Sequence, residues 1–153
     1  MTEWTKQLSN NLKKDKEEKL KKDKALVVKR KMIKDHGPTI WNSVIKELTS
    51  RCKEIEEEMG KALLAVTIRK NHATIKTSYW GYENICDLSF DSIKDEIGYV
   101  SQSGVARIAF PLSVIGGMVQ MAESRSGTYS YAISVESFVE NMVKAILQKP
   151  SHS

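Results

Sequence analysis

Two cysteines and three histidines are the side chains of this 153-residue sequence that could serve nucleophilic catalysis or metal binding. A cysteine nucleophile needs a neighbouring base, and His72 with Cys86 is one such combination. Zinc sites are built mainly from histidine and cysteine ligands, but none of His36, His72 and His152 lies at metal-ligand spacing from a cysteine or another histidine. We therefore predict neither a metal nor a cofactor. Because no signal peptide is visible, we expect a reducing compartment and free, buried thiols at Cys52 and Cys86, with a disulfide between them as the alternative.

Four carboxylates fall near predicted strand ends and turns, namely Asp87, Asp91, Asp95 and Glu96. Oxygen ligands of this kind can bind a divalent cation, but their spacing does not match an EF-hand loop. Turn formation and solubility explain them better. The sequence also contains no nucleophile elbow, Walker loop, dinucleotide fingerprint or HExxH motif, so we predict a protein that is not an enzyme.

The strongest indication of function is a lysine-rich segment. Residues 1–34 carry 12 Lys/Arg and 5 Asp/Glu, whereas the rest of the chain is close to neutral. Basic side chains bind phosphates without sequence preference. The candidate contacts are Lys13, Lys14, Lys21, Lys22, Lys29, Arg30, Lys31 and Lys34. The interleaved acids weaken the field of this segment, so a solvated charged helix, an acidic protein partner and a membrane surface are the alternatives.

The lysine-rich segment is predicted to be a helix over residues 5–35, because good helix formers and opposite charges three or four residues apart recur there. Its apolar stripe, Trp4 with Leu8 and Leu12, is too thin to bury much surface, which also disfavours membrane binding. His36-Gly37-Pro38 predicts a break, since Gly suits the residue after a helix and Pro the first turn of the next.

We accordingly expect a basic helical arm over residues 1–36 and a single α+β domain over residues 37–153. A second helix is predicted from Pro38 to Met59, with apolar residues in steps of four and three that form a heptad seam. The seam residues are Trp41, Ile45, Leu48, Cys52, Ile55 and Met59. The seam packs either on the chain's own sheet or on the helix of a second copy, and fewer than three heptads do not decide between them.

From Ala62 the apolar period changes to two, which predicts a hairpin through residue 80 and a third strand over residues 86–90. A second hairpin is predicted over residues 97–101 and 105–110. Gly116-Gly117 disfavours a helix over residues 111–123, so we expect an irregular connection there with a short strand over Met118–Met121. A strand over Thr128–Ile133 follows.

The last predicted element is an amphipathic helix that Ser134 caps. Its apolar face consists of Val135, Phe138, Val139, Met142, Val143, Ile146 and Leu147. The predicted fold class is therefore α+β: two N-terminal helices, the first long and lysine-rich, then an antiparallel sheet of about five strands and a C-terminal helix packed on the sheet.

Three hypotheses of function follow from these elements. The first is a non-catalytic protein-interaction or assembly module that uses its N-terminal helices, with a protein partner that is a second copy or another chain. The second is a nucleic-acid-binding accessory protein that uses the basic helix. The third is a small-ligand-binding domain with a pocket between sheet and helices, which no group of residues supports. No apolar run is long enough to cross a membrane and no signal peptide is visible, so we expect a cytoplasmic protein.

Overall fold

The computed structural model describes residues 2–101, 107–125 and 129–148. The chain divides into two compact units, Met1–Met32 and Ile33–Ser153. The architecture is α+β, with one long helix, a seven-stranded antiparallel sheet and a second helix. In chain order the elements are α1 (Glu3–Met59), β1 (Ala65–Arg69), β2 (His72–Thr77), β3 (Asn84–Asp91), β4 (Glu96–Ser101), β5 (Ile108–Ile115), β6 (Met118–Arg125), β7 (Tyr129–Ile133) and α2 (Val135–Leu147).

The N-terminal segment, which we define as residues 3–32 of α1, is helical throughout and buries none of its side chains. Opposite charges four residues apart, such as Glu17 with Lys21 and Glu18 with Lys22, favour this helix without tertiary packing. Each such pair contributes only about 0.2–0.5 kcal/mol. The helical state of the segment therefore rests on local sequence and not on a core.

The prediction of two N-terminal helices is wrong, because α1 continues through Gly37 and Pro38. Gly37 is buried, and a Cβ atom there would lie 3.1 Å from Phe90 Cζ and 3.2 Å from Leu112 Cδ1. Its φ is not positive. The glycine therefore serves close packing of α1 against the sheet and not a left-handed helix end. Pro38 lies inside the helix and leaves the carbonyl of Lys34 without its usual N–H partner.

The sheet has seven strands in the order in which they occur in the chain, and every neighbouring pair is antiparallel. The expectation of about five strands is therefore too low. The main local difference lies in residues 111–117, where β5 continues to Ile115 and turns directly into β6 in place of the predicted irregular connection. The predicted short strand over Met118–Met121 lies within β6. Gly116 and Gly117 have φ of 61° and 79°. Two consecutive positive φ angles are what a type I′ hairpin turn requires, so the glycine pair makes the turn.

The other hairpins agree with the sequence prediction. β1 pairs with β2, and β4 pairs with β5. The predicted turn near residues 103 and 104, and the start of the predicted strand at Thr128, lie outside the described residues.

One face of the sheet and parts of both helices form a single core. Trp41, Val44 and Leu48 come from α1, and Phe138 and Met142 are two of the residues from α2. The sheet contributes residues that alternate along the strands, including Ala73, Ile75, Cys86, Leu88, Phe90, Ile97, Leu112 and Met121. The predicted packing of an amphipathic C-terminal helix on the sheet is confirmed.

Ser134 begins α2 as the sequence predicts. Its backbone is extended, and its Oγ accepts a hydrogen bond from the N–H of Ser137 at 3.0 Å. Phe138 then packs edge-on against the rings of Tyr99 and Phe110, with centroid distances of 5.8 and 5.4 Å. These contacts fix the apolar face of α2 on the central strands.

Candidate interaction surfaces

The eight candidate phosphate-binding cations all lie exposed on α1. Lys34 differs from the other seven because its Nζ donates to Asp95 Oδ1 at 2.9 Å and to the Ser92 carbonyl. An α-helix turns by about 100° per residue. The cations at positions 13, 14, 21, 22, 29, 30 and 31 therefore surround the helix and do not form one basic face.

Exposed acids lie among these cations, namely Asp15, Glu17, Glu18 and Asp23. They reduce the positive field around the middle of the N-terminal segment. The segment as a whole still carries the basic excess of the protein, but without the directional stripe that a groove-binding helix presents to nucleic acid.

Trp4, Leu8 and Leu12 form a stripe along the N-terminal segment and are 66%, 50% and 60% exposed. We call these three residues the apolar stripe. Together with Thr5, Ser9, Lys13 and Lys16, the stripe lines a shallow concavity of about 440 Å³. A second group of exposed apolar side chains follows on the same segment, consisting of Leu20, Leu26, Val27 and Val28.

The predicted helix seam lies largely within the core. Trp41 and Leu48 are buried, Ile45, Cys52 and Ile55 are half-buried against the core, and Met59 is 46% exposed. The Trp41 ring stacks on Phe90 at 6.2 Å, and its Nε1 donates to the Lys70 carbonyl at 3.1 Å. The chain's own core, which the sheet and α2 share, therefore takes up most of the seam.

Val44 is a core residue that the heptad pattern missed. It is fully buried although it lies between the seam positions Trp41 and Ile45. A helix on a broad sheet buries a wider face than a helix in a two-helix seam. Its spacing of three from Trp41 and four from Leu48 was the signal that could have identified it.

The structure separates the candidate nucleophile from its candidate base. Cys86 pairs with Ile75 across β2 and β3, on the core face of the sheet. His72 lies at the other parity of β2 and so on the opposite face, where its Nε2 is 3.4 Å from Asp87 Oδ1. The two side chains therefore cannot meet.

Burial also makes both thiols poor nucleophiles. Cys52 is half-buried, Cys86 is buried, and both are free. Desolvation raises the pKa of Cys52 to about 11 and the pKa of Cys86 to about 12. The reactive thiolate is scarce near neutral pH.

The four candidate carboxylates hold turns and strands together. Asp91 Oδ1 accepts from the N–H groups of Ile93 and Lys94, and the hydrogen bond from Lys94 is the main cause of its lowered pKa. Asp95 contacts Lys34, and Glu96 accepts a hydrogen bond from Arg107. Thr74 Oγ1 donates to Asp87 Oδ1 at 3.1 Å. Within the described residues, no three His, Cys, Asp or Glu side chains are placed to hold a metal ion.

Two side chains between β2 and the start of β3 bind the C-terminal end of α2. Trp80 Nε1 donates to the Leu147 carbonyl at 2.9 Å, and Asn84 Nδ2 donates to the Ile146 carbonyl at 3.0 Å. These carbonyls belong to the last turn of α2, which lacks helical N–H partners. Tyr79 packs edge-on against Trp80 and lies 5.9 Å from Lys61 Nζ.

Two adjoining open hollows lie between α1 and α2, with volumes of about 400 and 660 Å³. Ile55, Val143 and Lys144 line both of them. Three of their four charged lining side chains are already paired, because Arg51 contacts Glu47 and Glu54 and Lys144 contacts Glu140. Their place between two helices differs from the predicted pocket between sheet and helices.

No helix in the described part of the chain is both long and apolar enough to span a bilayer. No known protein family matches the chain, and no curated protein or solved structure matches it at a significant level.

Proposed function

We propose that this protein is a non-catalytic interaction or assembly module that uses the N-terminal segment to dock on a protein, either a second copy or another chain. One observation carries the proposal. Seven large apolar side chains between Trp4 and Val28 are each about half exposed or more. Exposed apolar side chains that lie together, as Trp4, Leu8 and Leu12 do along one shallow hollow, typically mark an interaction site.

The chemistry of the apolar stripe supports docking into a groove. Trp4, Leu8 and Leu12 follow one another at intervals of four, which places them along one side of a helix. Amphipathic helices bind grooves through anchors at such spacings, and tryptophan is enriched among the anchors that contribute most to binding. The stripe is therefore the part of the segment that we expect to contact the partner first.

The magnitudes indicate what the partner surface must provide. Burying the exposed half of the three stripe side chains contributes about 3–4 kcal/mol. Association costs about 4–15 kcal/mol in lost translational and rotational freedom. The other four exposed apolar side chains and the surplus lysines of the segment must therefore contribute as well, so we expect the partner groove to carry acidic side chains at its rim.

A photo-crosslinking amino acid at Leu8 tests this proposal. The matched control carries the same group at Ile93, which is 89% exposed on the β3–β4 turn. In extracts of the source cells we expect a discrete adduct from position 8 that position 93 does not give. The substitution Trp4→Glu should abolish that adduct. Identical adducts from both positions, or none from position 8, would contradict the proposal.

Nucleic-acid binding is a second candidate, and the exposure of the seven cations other than Lys34 favours it. Neutralising Lys21, Lys22, Lys29, Arg30 and Lys31 with glutamine should weaken binding to single- and double-stranded oligonucleotides alike. Fluorescence anisotropy of labelled oligonucleotides measures this with the full chain. Binding that depends on phosphate contacts should fall steeply between about 50 and 200 mM salt. Absence of binding at the lower salt concentration removes this candidate.

A further inference from the structure

The strand β1 forms one edge of the seven-stranded sheet. Four of its five residues are exposed, and Val66 is half-buried. Ile68 is 50% exposed although it pairs with Ala73 and so lies on the core face of the sheet. The edge is therefore open, and it leaves a large β-branched side chain partly in water.

The backbone of β1 offers hydrogen bonds along this edge. A two-residue connection, Lys70-Asn71, joins β1 to β2, and Arg69 pairs with His72. Hairpins with two-residue loops close on a hydrogen-bonded pair, and such pairs alternate with non-bonded pairs along an antiparallel ladder. Arg69, Thr67 and Ala65 therefore bond to β2. The N–H and C=O groups of Val66 and Ile68 point outward from the sheet.

The middle of this edge has few of the features that usually prevent edge-to-edge pairing, because its one charged residue, Arg69, stands at the end of the strand. Natural edge strands carry a lysine, a proline or a bulge that blocks a second strand. The run from Leu63 to Ile68, Leu-Leu-Ala-Val-Thr-Ile, contains no charge and no proline. Such a run has high β propensity and is the kind of segment that pairs with another strand when it is exposed.

We infer that β1 pairs antiparallel with β1 of a second copy about a two-fold axis at Thr67. In this register Val66 of one copy faces Ile68 of the other. Both residues direct their backbone groups outward, so the two copies exchange hydrogen bonds at both positions. The pairing joins two seven-stranded sheets into one and covers the exposed part of Ile68 in each copy.

The chemistry of the edge favours a second copy as its occupant. The two-fold axis makes the strand complementary to itself in both hydrogen bonding and apolar contact. The register also places each Arg69 opposite Ala65, so that no two cations face each other. A single strand pair falls at the small end of protein interfaces, below about 1,200 Å². We therefore expect a reversible dimer whose population depends on concentration.

This inference does not depend on the proposed docking role of the N-terminal segment, because the two surfaces share no residue. A dimer through β1 would instead give one assembly two such segments. Two linked binding helices raise the apparent affinity for a partner that has two sites, without any new contact.

Sedimentation velocity of the full chain, measured from about 1 to 200 μM protein, tests the pairing. The buffer contains about 0.5 M salt, which screens the charges of the N-terminal segment. Ile68→Pro removes the N–H group that points away from the sheet but keeps the hydrogen bonds between β1 and β2. Proline is tolerated at edge positions of this kind. We expect this substitution to raise the dimer dissociation constant at least about tenfold. Ile68→Lys should do the same if the proline variant fails to fold, and Ile93→Lys is the matched control that should leave the constant unchanged.

Hydrogen exchange gives a second, residue-level result. The amides of Val66 and Ile68 should exchange more slowly as the protein concentration rises, whereas the amide of Thr67 is already bonded to β2 and should not change. A wild-type chain that stays monomeric overturns the inference, even where it binds an extended peptide at this edge. A dimer that survives both Ile68 variants also overturns it, and if that dimer is lost with Leu8→Lys, it supports the docking role of the N-terminal segment instead.

Discussion

The substitution Pro38→Ala tests whether α1 continues without a break through His36-Gly37-Pro38, a sequence that resembles a helix end. Pro38 is exposed and lies inside the helix, where its ring crowds the carbonyl of Lys34 and supplies no N–H to it. Alanine restores the missing donor and removes the crowding. If Pro38 instead stood in the first turn of a separate helix, no bond would be missing and the fixed φ of proline would favour the fold.

The magnitude follows from opposing effects. Proline inside a helix is about 3 kcal/mol less favourable than alanine. Removing it also frees the unfolded chain, which costs about 0.4–1 kcal/mol of stability. We therefore expect Pro38→Ala to raise the free energy of unfolding by about 2 kcal/mol. At roughly 2–4 °C per kcal/mol for a chain of this length, Tm should rise by about 4–8 °C.

Thermal and urea unfolding, followed by far-ultraviolet circular dichroism and tryptophan fluorescence, measure this change. Trp41 is buried against Phe90 and reports loss of the core. Pro111→Ala is the matched control, because Pro111 lies in β5 and its replacement frees the unfolded chain without restoring a helical bond. A Tm for Pro38→Ala equal to or below that of the wild-type protein would refute the continuous helix.

Three further predictions test the core, the thiols and the start of α2. Leu48→Ala should lower the free energy of unfolding by about 2–5 kcal/mol because it opens a cavity. Met59→Ala, at an exposed position, should change it by less than about 0.5 kcal/mol. Urea unfolding measures both variants, and equal losses would contradict the placement of the helix on the sheet. At pH 8 a chromogenic thiol reagent should react with Cys52 and Cys86 at least about a hundredfold more slowly in the native protein than in the unfolded chain. The reason is that burial raises the pKa of both thiols and depletes the thiolate. A rapid rise in the absorbance of the reagent's product in the native protein would show that a thiol is exposed. Ser134→Ala should lower stability by about 1 kcal/mol through loss of the helix cap, with Ser134→Asp retaining most of it, as thermal unfolding would measure.

Local signals predicted much of the β region and α2. The alternation of Ala73 and Ile75 with polar residues identified the core face of β2, and Ser134 identified the start of α2, because each depends on neighbours in sequence. These features need no knowledge of what lies across the fold. The same holds for the paired strands β4 and β5.

The sequence-based prediction was wrong at glycines that can serve either of two structural roles, because the sequence alone does not distinguish between those roles. Glycine at position 37 suits a helix end, but it also suits a close approach to Phe90 and Leu112, and that contact is non-local. Gly116-Gly117 disfavours a helix and also forms a type I′ turn, so its role depended on pairing between β5 and β6. Whether the exposed cations of the N-terminal segment meet phosphate or protein is likewise a property of the partner and not of their spacing.

The strand order of the sheet has a consequence for how the chain folds. Each strand pairs with the next across a short connection. The sheet can therefore form one hairpin at a time, and closing each connection costs little conformational entropy. Its core face, however, is covered by helices that precede and follow all seven strands. On the ribosome α1 and the strands emerge before α2, so the part of the apolar face that α2 covers stays exposed until the residues around Phe138 and Met142 leave the exit tunnel. Docking of α2 therefore completes the core at the end of folding. A stalled chain that ends before Ser134 exposes this apolar surface, and we expect chaperones to bind it.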